Sequence, residues 1–281
     1  MPLFCWLLGS VAAAGHWTYH ETKTGPTNWH MLNSSYAACQ GSRQSPIDVT
    51  PTSTVQTRSL RLLYASAVPA VHEEKHASLA YRFADSVGTA SLDGTLSGDH
   101  KVYTLKGMHL HTPAEHHLNG VRHSLEIHLV HVAGDKALLA LAVLAQIGPS
   151  TSTLILPFLD SRLLDPNSDF TTTVDLASLA NSVNTLGRIV TYNGSLTIPP
   201  CNPVTWTIST DILTITESDL DRLWTNQPLA NARPLQFHQS ILFQASSQNV
   251  FSSGLKSSSK QHLVWIVVVN VALLSIVAFY N

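Results

Sequence analysis

Charged residues are scarce in this sequence, and no strongly basic region is present. Asp, Glu, Lys and Arg make up 12% of the 281 residues, the formal net charge is −2 and the sequence pI is about 6.7. A chain without a basic field does not attract nucleic acid, so we exclude nucleic acid as a partner. Hydrophobic residues reach 44%. This is enough for a full core, and strand-rich folds of this length are often one domain.

Basic residues are also missing from the N-terminal segment, which is short and apolar. Leu3 to Leu8 and Val11 to Ala14 form an apolar stretch that ends in small residues, as signal-peptide cleavage sites do. We therefore predict a signal peptide over residues 1–14 and a mature chain that begins at Gly15. Because the usual basic segment is absent, a buried N-terminal strand remains the alternative.

No basic residue follows the longest apolar run, which extends from Leu263 to Tyr280. A stable single span normally has Lys or Arg on its cytoplasmic side. The small residues Ser252 to Gly254 and the polar residues after them resemble a glycosylphosphatidylinositol signal. We predict a Ser-rich spacer over 252–262 and a removable anchor signal over 263–281, with a transmembrane span as the alternative. Membrane contact is then expected only through this C-terminal anchor.

Cysteine is rare, and its positions favour an extracytoplasmic protein. Cys5 lies in the predicted signal peptide, so the mature chain keeps Cys39 and Cys201. A disulfide between them is the favoured interpretation, and two unrelated buried thiols are the alternative. Asn33 and Asn193 each begin an Asn-x-Ser sequence, which is the acceptor for N-glycosylation in secreted proteins. We expect a cell-surface or secreted protein.

The region from Gly15 to Phe251 contains short β-prone segments separated by Gly, Pro, Asn and Asp turns, and no repeat. Leu138 to Ile147 is nearly all apolar, as expected for a strand covered on both faces. The best helix signal is Ser218 to Trp224, with Ser218 as its cap. These patterns predict a mainly β (α+β) fold with a single domain.

Histidine is the residue type that stands out. Eight of the 15 histidines lie between His100 and His131. Lone histidines on strands are usually hydrogen-bonded core or surface residues, and we apply that interpretation to four of the eight. These four are His116, His117, His123 and His131.

Three other histidines have the spacing of a metal site on strands. His109 and His111 alternate with apolar residues, so both side chains point to one face of an extended strand. Glu126 and His128 share a face of a second strand for the same reason. If the strands are neighbours, His109, His111 and His128 converge as three neutral ligands with an open fourth position, which describes a catalytic Zn²⁺ site. Glu126 is then expected to accept a hydrogen bond from a ligand ring N–H.

Two other metal motifs compete with this interpretation. His109-x-His111-x-x-x-Glu115 matches the first half of a cupin motif, which would imply iron or manganese chemistry. The flanking glycines and the second half of that motif are missing. The His-Glu-x-x-His sequence of zincin proteases is also absent.

Together these segments resemble the alpha-class carbonic anhydrases over residues 15–251. The matching segments are His16-Trp17-x-Tyr19, Arg43-Gln-Ser-Pro-Ile-Asp48, His109-Leu-His111-Thr-Pro-Ala-Glu115-His116, Leu125-Glu126-Ile-His128-Leu-Val-His131, Leu141-Ala-Val-Leu144, Gly194-Ser-Leu-Thr197-Ile-Pro-Pro-Cys201, Val204-Thr-Trp206 and Asn231-x-Arg-Pro234. The resemblance implies a catalytic domain on a ten-stranded, mostly antiparallel twisted sheet, with zinc at the base of a cone. It also implies a Cys39–Cys201 bridge that tethers the loop containing Thr197.

The resemblance further implies reversible hydration of CO2 to bicarbonate and a proton by attack of zinc-bound hydroxide. Thr197 would accept a hydrogen bond from that hydroxide and donate one to Glu115, which fixes the direction of attack. His76 would pass the released proton to buffer. Four residues would form the apolar wall against which CO2 rests, and these are Val130, Val143, Leu196 and Trp206.

Two positions depart from the family pattern. Gly107 stands where the family usually has a glutamine that accepts from the first zinc histidine, so His109 is expected to lack that partner. Ile198 replaces a second hydroxyl after Thr197. The alternative function is a non-catalytic extracellular binding module of the same fold. The enzyme is preferred because the three histidines, Thr197 and Glu115 are all retained.

Overall fold

A computed structural model of the chain describes residues 16–50, 57–75, 78–85, 87–94, 100–164, 170–186, 189–226, 230–237 and 243–247. All of them belong to one compact unit, Met1–Asn249. The predicted signal peptide, the spacer, the anchor signal and His76 lie outside the described residues. None of the helices in the described ranges has both the length and the apolar character needed to cross a membrane.

Strands account for most of the regular structure. In chain order they are β1 (Asp48–Val49), β2 (Thr57–Tyr64), β3 (Val68–Lys75), β4 (Ser78–Phe83), β5 (Gly88–Gly94), β6 (His100–His111), β7 (His117–Leu118), β8 (Val121–Arg122), β9 (Leu125–Ala133), β10 (Leu138–Ile147), β11 (Thr171–Val174), β12 (Ile189–Ser195), β13 (Pro203–Ser209), β14 (Leu213–Ile215) and β15 (Phe243–Ser247). The α-helices are α1 (Trp29–Leu32), α2 (Leu176–Leu186) and α3 (Glu217–Asn226). Short 3-10 helices cover Ser34–Gln40, Leu156–Leu159 and Ser161–Leu164.

Twelve of the described strands form one mixed sheet. Its order is β11-β3-β4-β6-β5-β2-β15-β12-β13-β10-β14, and β9 pairs with both β6 and β10. Among the described pairs of this sheet, β10–β13, β10–β14 and β15–β2 are parallel and the others are antiparallel. The end strands β11 and β14 have four and three residues, which leaves ten longer strands. The predicted mainly β class and the mostly antiparallel sheet are confirmed.

The centre of the sheet follows the sequence pattern closely. The first eight residues of β10 are all buried, as its apolar sequence predicted. On β9, Leu125, Ile127 and Leu129 belong to the main apolar core. The residues between them are polar, because alternate side chains of a strand point to opposite faces. The polar face of β9 is therefore available for a site.

Helix α3 confirms the predicted helix, but its cap differs. The Thr216 hydroxyl accepts from the backbone N–H of Asp219 at 3.2 Å, which is the bond that an N-cap side chain makes to the third helical residue. The predicted cap Ser218 is therefore wrong, and it lies inside the first turn. The helix begins one residue earlier than the sequence suggested.

A disulfide joins Cys39 and Cys201, which are separated by 162 positions. The alternative of two unrelated thiols is thereby excluded. A loop of this length can stabilise a fold by about 5 kcal/mol on the chain-entropy account. Both cysteines pack in a small apolar cluster with Tyr19, Trp29 and Tyr36. The bridge fixes the segment that follows Thr197 to the N-terminal part of the chain.

Candidate metal centre

Three histidines meet on the polar faces of β6 and β9. The two strands pair antiparallel, with His109 opposite His128 and His111 opposite Glu126. The ring centroids are 5.0 Å apart for His109–His111, 5.0 Å for His109–His128 and 4.6 Å for His111–His128. One ligand nitrogen from each ring lies within 4.8 Å of the other two. The sheet therefore brings the three predicted ligands together.

The hydrogen bonds of two of these rings fix which nitrogen points inward. His111 Nδ1 lies 2.7 Å from the Asn231 carbonyl oxygen, and His128 Nε2 lies 2.5 Å from Glu126 Oε1. Carbonyl and carboxylate oxygens can only accept hydrogen bonds, so His111 Nδ1 and His128 Nε2 carry the proton and donate. The other nitrogen of each neutral ring, His111 Nε2 or His128 Nδ1, therefore keeps a lone pair. His111 Nε2 is buried and has no hydrogen-bond partner among the residues that the structure describes. His128 Nδ1 lies 3.2 Å from His109 Nε2.

Burial keeps these imidazoles neutral. It lowers the pKa of His111 to about 4, although the Asn231 carbonyl and the nearby Glu126 act in the opposite direction. Burial also lowers the pKa of His128, against the opposing effect of Glu126. Both rings are therefore uncharged at pH 7, which is the state that metal ligation requires.

Glu126 is fully buried and holds the ring of His128. Its Oε2 accepts from the backbone N–H groups of Glu115 and His116 at 2.9 and 2.7 Å. Its Oε1 lies near His128 and 2.6 Å from His116 Nδ1. Burial raises the pKa of Glu126, but its interactions with the His116 and His128 rings outweigh burial and hold that pKa well below its ordinary value. Glu126 is thus a carboxylate that accepts from a ligand ring, as the alternation predicted.

Glu115 and Thr197 are both buried beside the histidines. Glu115 Oε1 accepts from the backbone N–H of Arg233 at 2.8 Å, and its Oε2 lies 3.6 Å from His111 Nε2. Burial raises the pKa of Glu115 to about 7, and the nearby Thr197 side chain acts against this rise. The hydrogen bond between Glu115 and Thr197 that the resemblance implies stays a prediction.

The raised pKa of Glu115 leads to a testable pH dependence in the metal-free protein. Between the ordinary value of 4.5 and the folded value of about 7, the folded state keeps a proton that the unfolded chain has released. This group's contribution to the free energy of unfolding therefore falls as the pH rises through that window, by an amount on the order of 3 kcal/mol. Because glutamine does not titrate, we expect Glu115→Gln to gain stability relative to the parent between pH 5 and pH 8.

The measurement is the thermal unfolding midpoint of the metal-free parent and of metal-free Glu115→Gln, each at pH 5 and at pH 8. Asp135→Asn, at an exposed position, is the matched control for removal of a carboxylate. A difference between Glu115→Gln and the parent that is the same at both pH values would contradict the prediction.

Apolar side chains cover the space beside His128. Trp206 packs edge-on against His128 with ring centroids 4.7 Å apart, and its Nε1–H donates to the Ser195 carbonyl at 2.9 Å. Leu196 belongs to the same apolar cluster as Trp206. Val130 follows His128 on the same face of β9 and is buried. Val130, Leu196 and Trp206 thus lie where an apolar wall was predicted.

The placement of Val143 in this wall is wrong. Val143 pairs with Ile127, so it points to the opposite face of the sheet from His128 and packs in the main core. Ala140 takes the predicted position instead, because it pairs with Val130 on one side and Trp206 on the other. The wall therefore contains a methyl group where the sequence suggested an isopropyl group.

The remaining predicted positions are placed as follows. Gly107 is buried in β6 opposite Val130, next to a register shift in that strand, and its effect on His109 stays a prediction. Ile198 packs against the aromatic cluster around the disulfide. Asn33 caps the first 3-10 helix through its side chain, and Asn193 is exposed on β12. Glycosylation of either residue stays a prediction.

Sequence reasoning missed three residues that complete the site. The Asn231 carbonyl accepts from His111, and its side chain accepts from the Thr112 N–H at 2.9 Å. The Arg233 backbone holds Glu115. His116, interpreted as an ordinary core histidine, contacts Glu126. The segment Asn231-x-Arg-Pro234 matches the family pattern, but spacing alone does not reveal its role.

Comparison with known proteins agrees with this geometry. The model of the eukaryotic-type carbonic anhydrase family matches residues 24–240. The chain therefore belongs to the alpha carbonic anhydrase family. Among individual relatives, alpha carbonic anhydrase 5 of Arabidopsis thaliana is 33% identical over 237 residues, which cover 81% of this chain and 84% of the relative.

Solved structures give the same result. The fungal alpha carbonic anhydrase from Aspergillus oryzae aligns with a TM-score of 0.67 at 27% identity, over 79% of this chain and 93% of that one. A crystal structure of dioscorin complexed with ascorbate aligns with a TM-score of 0.66 at 25% identity, over 83% and 100%. The chain thus shares its fold with both of these solved structures.

Proposed function

We propose that this protein is a zinc-dependent carbonic anhydrase that reversibly hydrates CO2 to bicarbonate and a proton. The observation that supports this most directly is the convergence of His109, His111 and His128, with Glu115 Oε2 3.6 Å from His111 Nε2. Three neutral imidazoles with an open fourth position are typical of catalytic zinc. The same donor set does not suit a structural zinc site, which normally has four protein ligands.

The residues present fit a zinc ion. His111 Nε2 is a buried nitrogen without a hydrogen-bond partner among the described residues, and a cation would satisfy its lone pair. The outer N–H groups of His111 and His128 are held by Asn231 and Glu126, which orients the rings. When bound, zinc lowers the pKa of a coordinated water to about 7 and so supplies a nucleophile at neutral pH.

Thr197 and Glu115 would orient that nucleophile. Arg233 donates its backbone N–H to Glu115, so the carboxylate is held as an acceptor for the Thr197 hydroxyl. A threonine whose proton is directed at a carboxylate can only accept from a water-derived group on its other side. The pair therefore contributes positioning rather than proton removal.

Val130, Leu196 and Trp206 would form the dry side of the site. Their side chains are buried and offer no hydrogen bond to a small substrate, apart from the indole N–H that is already donated to Ser195. Apolar CO2 can therefore pack against this wall, whereas water would find no hydrogen-bond partner there. We propose that Ala140 rather than Val143 completes it.

The extracytoplasmic location, the lipid anchor and proton transfer by His76 stay proposals. The disulfide is consistent with an oxidising, extracytoplasmic location, which agrees with the predicted signal peptide. Anchoring by a lipid through the C-terminal segment and proton transfer by His76 both concern residues outside the described ranges.

A non-catalytic binding module is the second candidate, because the dioscorin that shares the fold was solved with ascorbate. The two candidates differ in metal content and turnover. The test is metal analysis and stopped-flow CO2 hydration on the full chain, purified from a secreting eukaryotic host. We expect one zinc per chain and hydration that disappears with a chelator and returns with zinc. Folded protein with an empty or iron-filled site, or with zinc and no hydration, would contradict the proposal.

A further inference from the structure

A buried series of hydrogen bonds leads away from the metal site on the side opposite the three ligand nitrogens. It begins at His128, whose Nε2 lies 2.5 Å from Glu126 Oε1. The same oxygen lies 2.6 Å from His116 Nδ1, and His116 Nε2 lies 2.6 Å from the Tyr192 hydroxyl. His116 and Tyr192 have no exposed surface. Water therefore cannot replace either contact.

Tyr192 passes this series on to Ser45. Its hydroxyl donates to Ser45 Oγ at 2.8 Å. Burial raises the pKa of Tyr192 well above its ordinary value, so the phenol keeps its single proton. The same phenol oxygen lies 2.6 Å from His116 Nε2, so one hydroxyl joins His116 to Ser45.

Ser45 connects Tyr192 to the residues just before Thr197. Its Oγ accepts from the Ser195 backbone N–H at 3.1 Å, and its own backbone N–H donates to Ser195 Oγ at 3.1 Å. Ser195 Oγ in turn donates to the Leu196 carbonyl at 2.9 Å. Leu196 is the residue before Thr197, so the series ends at the backbone of the loop that orients the nucleophile.

We propose that Tyr192 is a positioning residue that couples the orientation of the His128 ring to the placement of Thr197. The proposal rests on the zinc site proposed above. Without the hydroxyl, His116 loses the hydrogen-bond partner that holds its ring against Glu126, and Ser45 loses a donor. Glu126 then holds His128 less firmly, and the loop before Thr197 loses part of its support. Both sides of the site change together.

The test is Tyr192→Phe, which keeps the ring that packs against His116 and Trp206 and removes only the hydroxyl. We expect faster zinc release to a chelator, by less than the roughly 10–100-fold that loss of a direct partner of a ligand costs. We also expect a lower kcat with little change in KM, since Thr197 acts on the transition state. The matched control is Tyr81→Phe, which removes a buried hydroxyl that donates to the Pro157 carbonyl at 2.5 Å.

The control separates positioning from stability. Tyr81→Phe should lower the thermal unfolding midpoint and leave zinc release and kcat close to the parent. If Tyr192→Phe behaves in the same way, Tyr192 is only structural and the proposal fails. If Tyr192→Phe does not fold, Ser45→Ala removes the next member of the series and must give the same two changes. The double variant should release zinc no faster than the more affected single variant.

A measurement without metal distinguishes failure of this proposal from failure of the proposed function. In the chelator-treated parent and Tyr192→Phe proteins, amide hydrogen exchange of Ser195 reports the far end of the series directly. We expect faster exchange at Ser195 in Tyr192→Phe and unchanged exchange in Tyr81→Phe. Equal Ser195 exchange in all three proteins would overturn the coupling, even if the parent binds zinc and hydrates CO2. A parent without zinc would overturn only the proposed function.

Discussion

Replacing His128 with alanine is expected to remove bound zinc and abolish CO2 hydration in a protein that still folds. The change deletes one of the three nitrogens that lie within 4.8 Å of one another. It also leaves Glu126 Oε1 without the N–H that His128 donates at 2.5 Å. Two remaining imidazoles do not hold zinc at the affinity of a three-histidine site. Zinc content should fall from one per chain to near zero, and hydration to the uncatalysed rate.

Metal analysis after gel filtration and stopped-flow hydration measure the two expected losses. His131→Ala is the matched control on the same strand. His131 is equally buried, but its Nε2 lies 2.7 Å from the Tyr64 hydroxyl on the other face of β9. That variant should lose stability and keep its zinc. Retention of zinc and activity by His128→Ala would mean that the metal site lies elsewhere.

Gly194→Ala is expected to lower the free energy of unfolding by about 3 kcal/mol, the upper part of the range for overpacking a core. A Cβ at this position would overlap Ser45 Oγ and come within 2.6 Å of Tyr192 Cε2. Neither atom can move freely, because the Tyr192 hydroxyl donates a hydrogen bond to Ser45 Oγ and Ser45 Oγ also accepts one from the Ser195 backbone N–H. Part of the damage should therefore reach the Thr197 loop and reduce kcat.

Urea unfolding followed by fluorescence measures the stability change. Gly134→Ala is the matched control, since a Cβ there meets no atom within 4 Å, and it should leave the midpoint nearly unchanged. Equal midpoints for the two variants would show that the neighbourhood of Gly194 adjusts at little cost. In that case the Ser45–Tyr192 contact is less rigid than its hydrogen bonds indicate.

The convergence of the three histidines could be predicted from sequence because strand geometry has a period of two. His109 and His111 are two positions apart, as are Glu126 and His128, so each pair shares a face in any extended strand. Only the adjacency of the two strands had to be supplied, and the resemblance to a known family supplied it. The structure confirms that adjacency through the His109–His128 pairing.

Val143 shows where the same reasoning fails. Strand β10 is apolar on both faces, so its sequence contains no alternation that could assign one face to the site. A shift of one residue then exchanges the two faces. The register with β9, which pairs Ala140 with Val130 and Val143 with Ile127, is a property of the assembled sheet.

The series through Tyr192 could not be predicted for a different reason. Ser45 and Tyr192 are 147 positions apart, and His116 and Tyr192 are 76 apart. Polar residues this far apart in sequence could pair with many other residues, so nothing in the sequence selects these particular hydrogen bonds. Their pairing becomes visible only when the strands bring them together, because each is buried where water is excluded.

The position of the three proposed ligands on central strands determines how the proposed site would respond to loss of a bound metal. β6 pairs with β4 and β5 on one edge and with β9 on the other, and β9 pairs with β6 and β10. The backbone beneath His109, His111 and His128 is therefore fixed by the sheet as a whole. The conformational entropy of bringing the ligands together is lost during folding rather than during metal capture. We expect the apoprotein to keep a preorganised site that recaptures its ion without refolding.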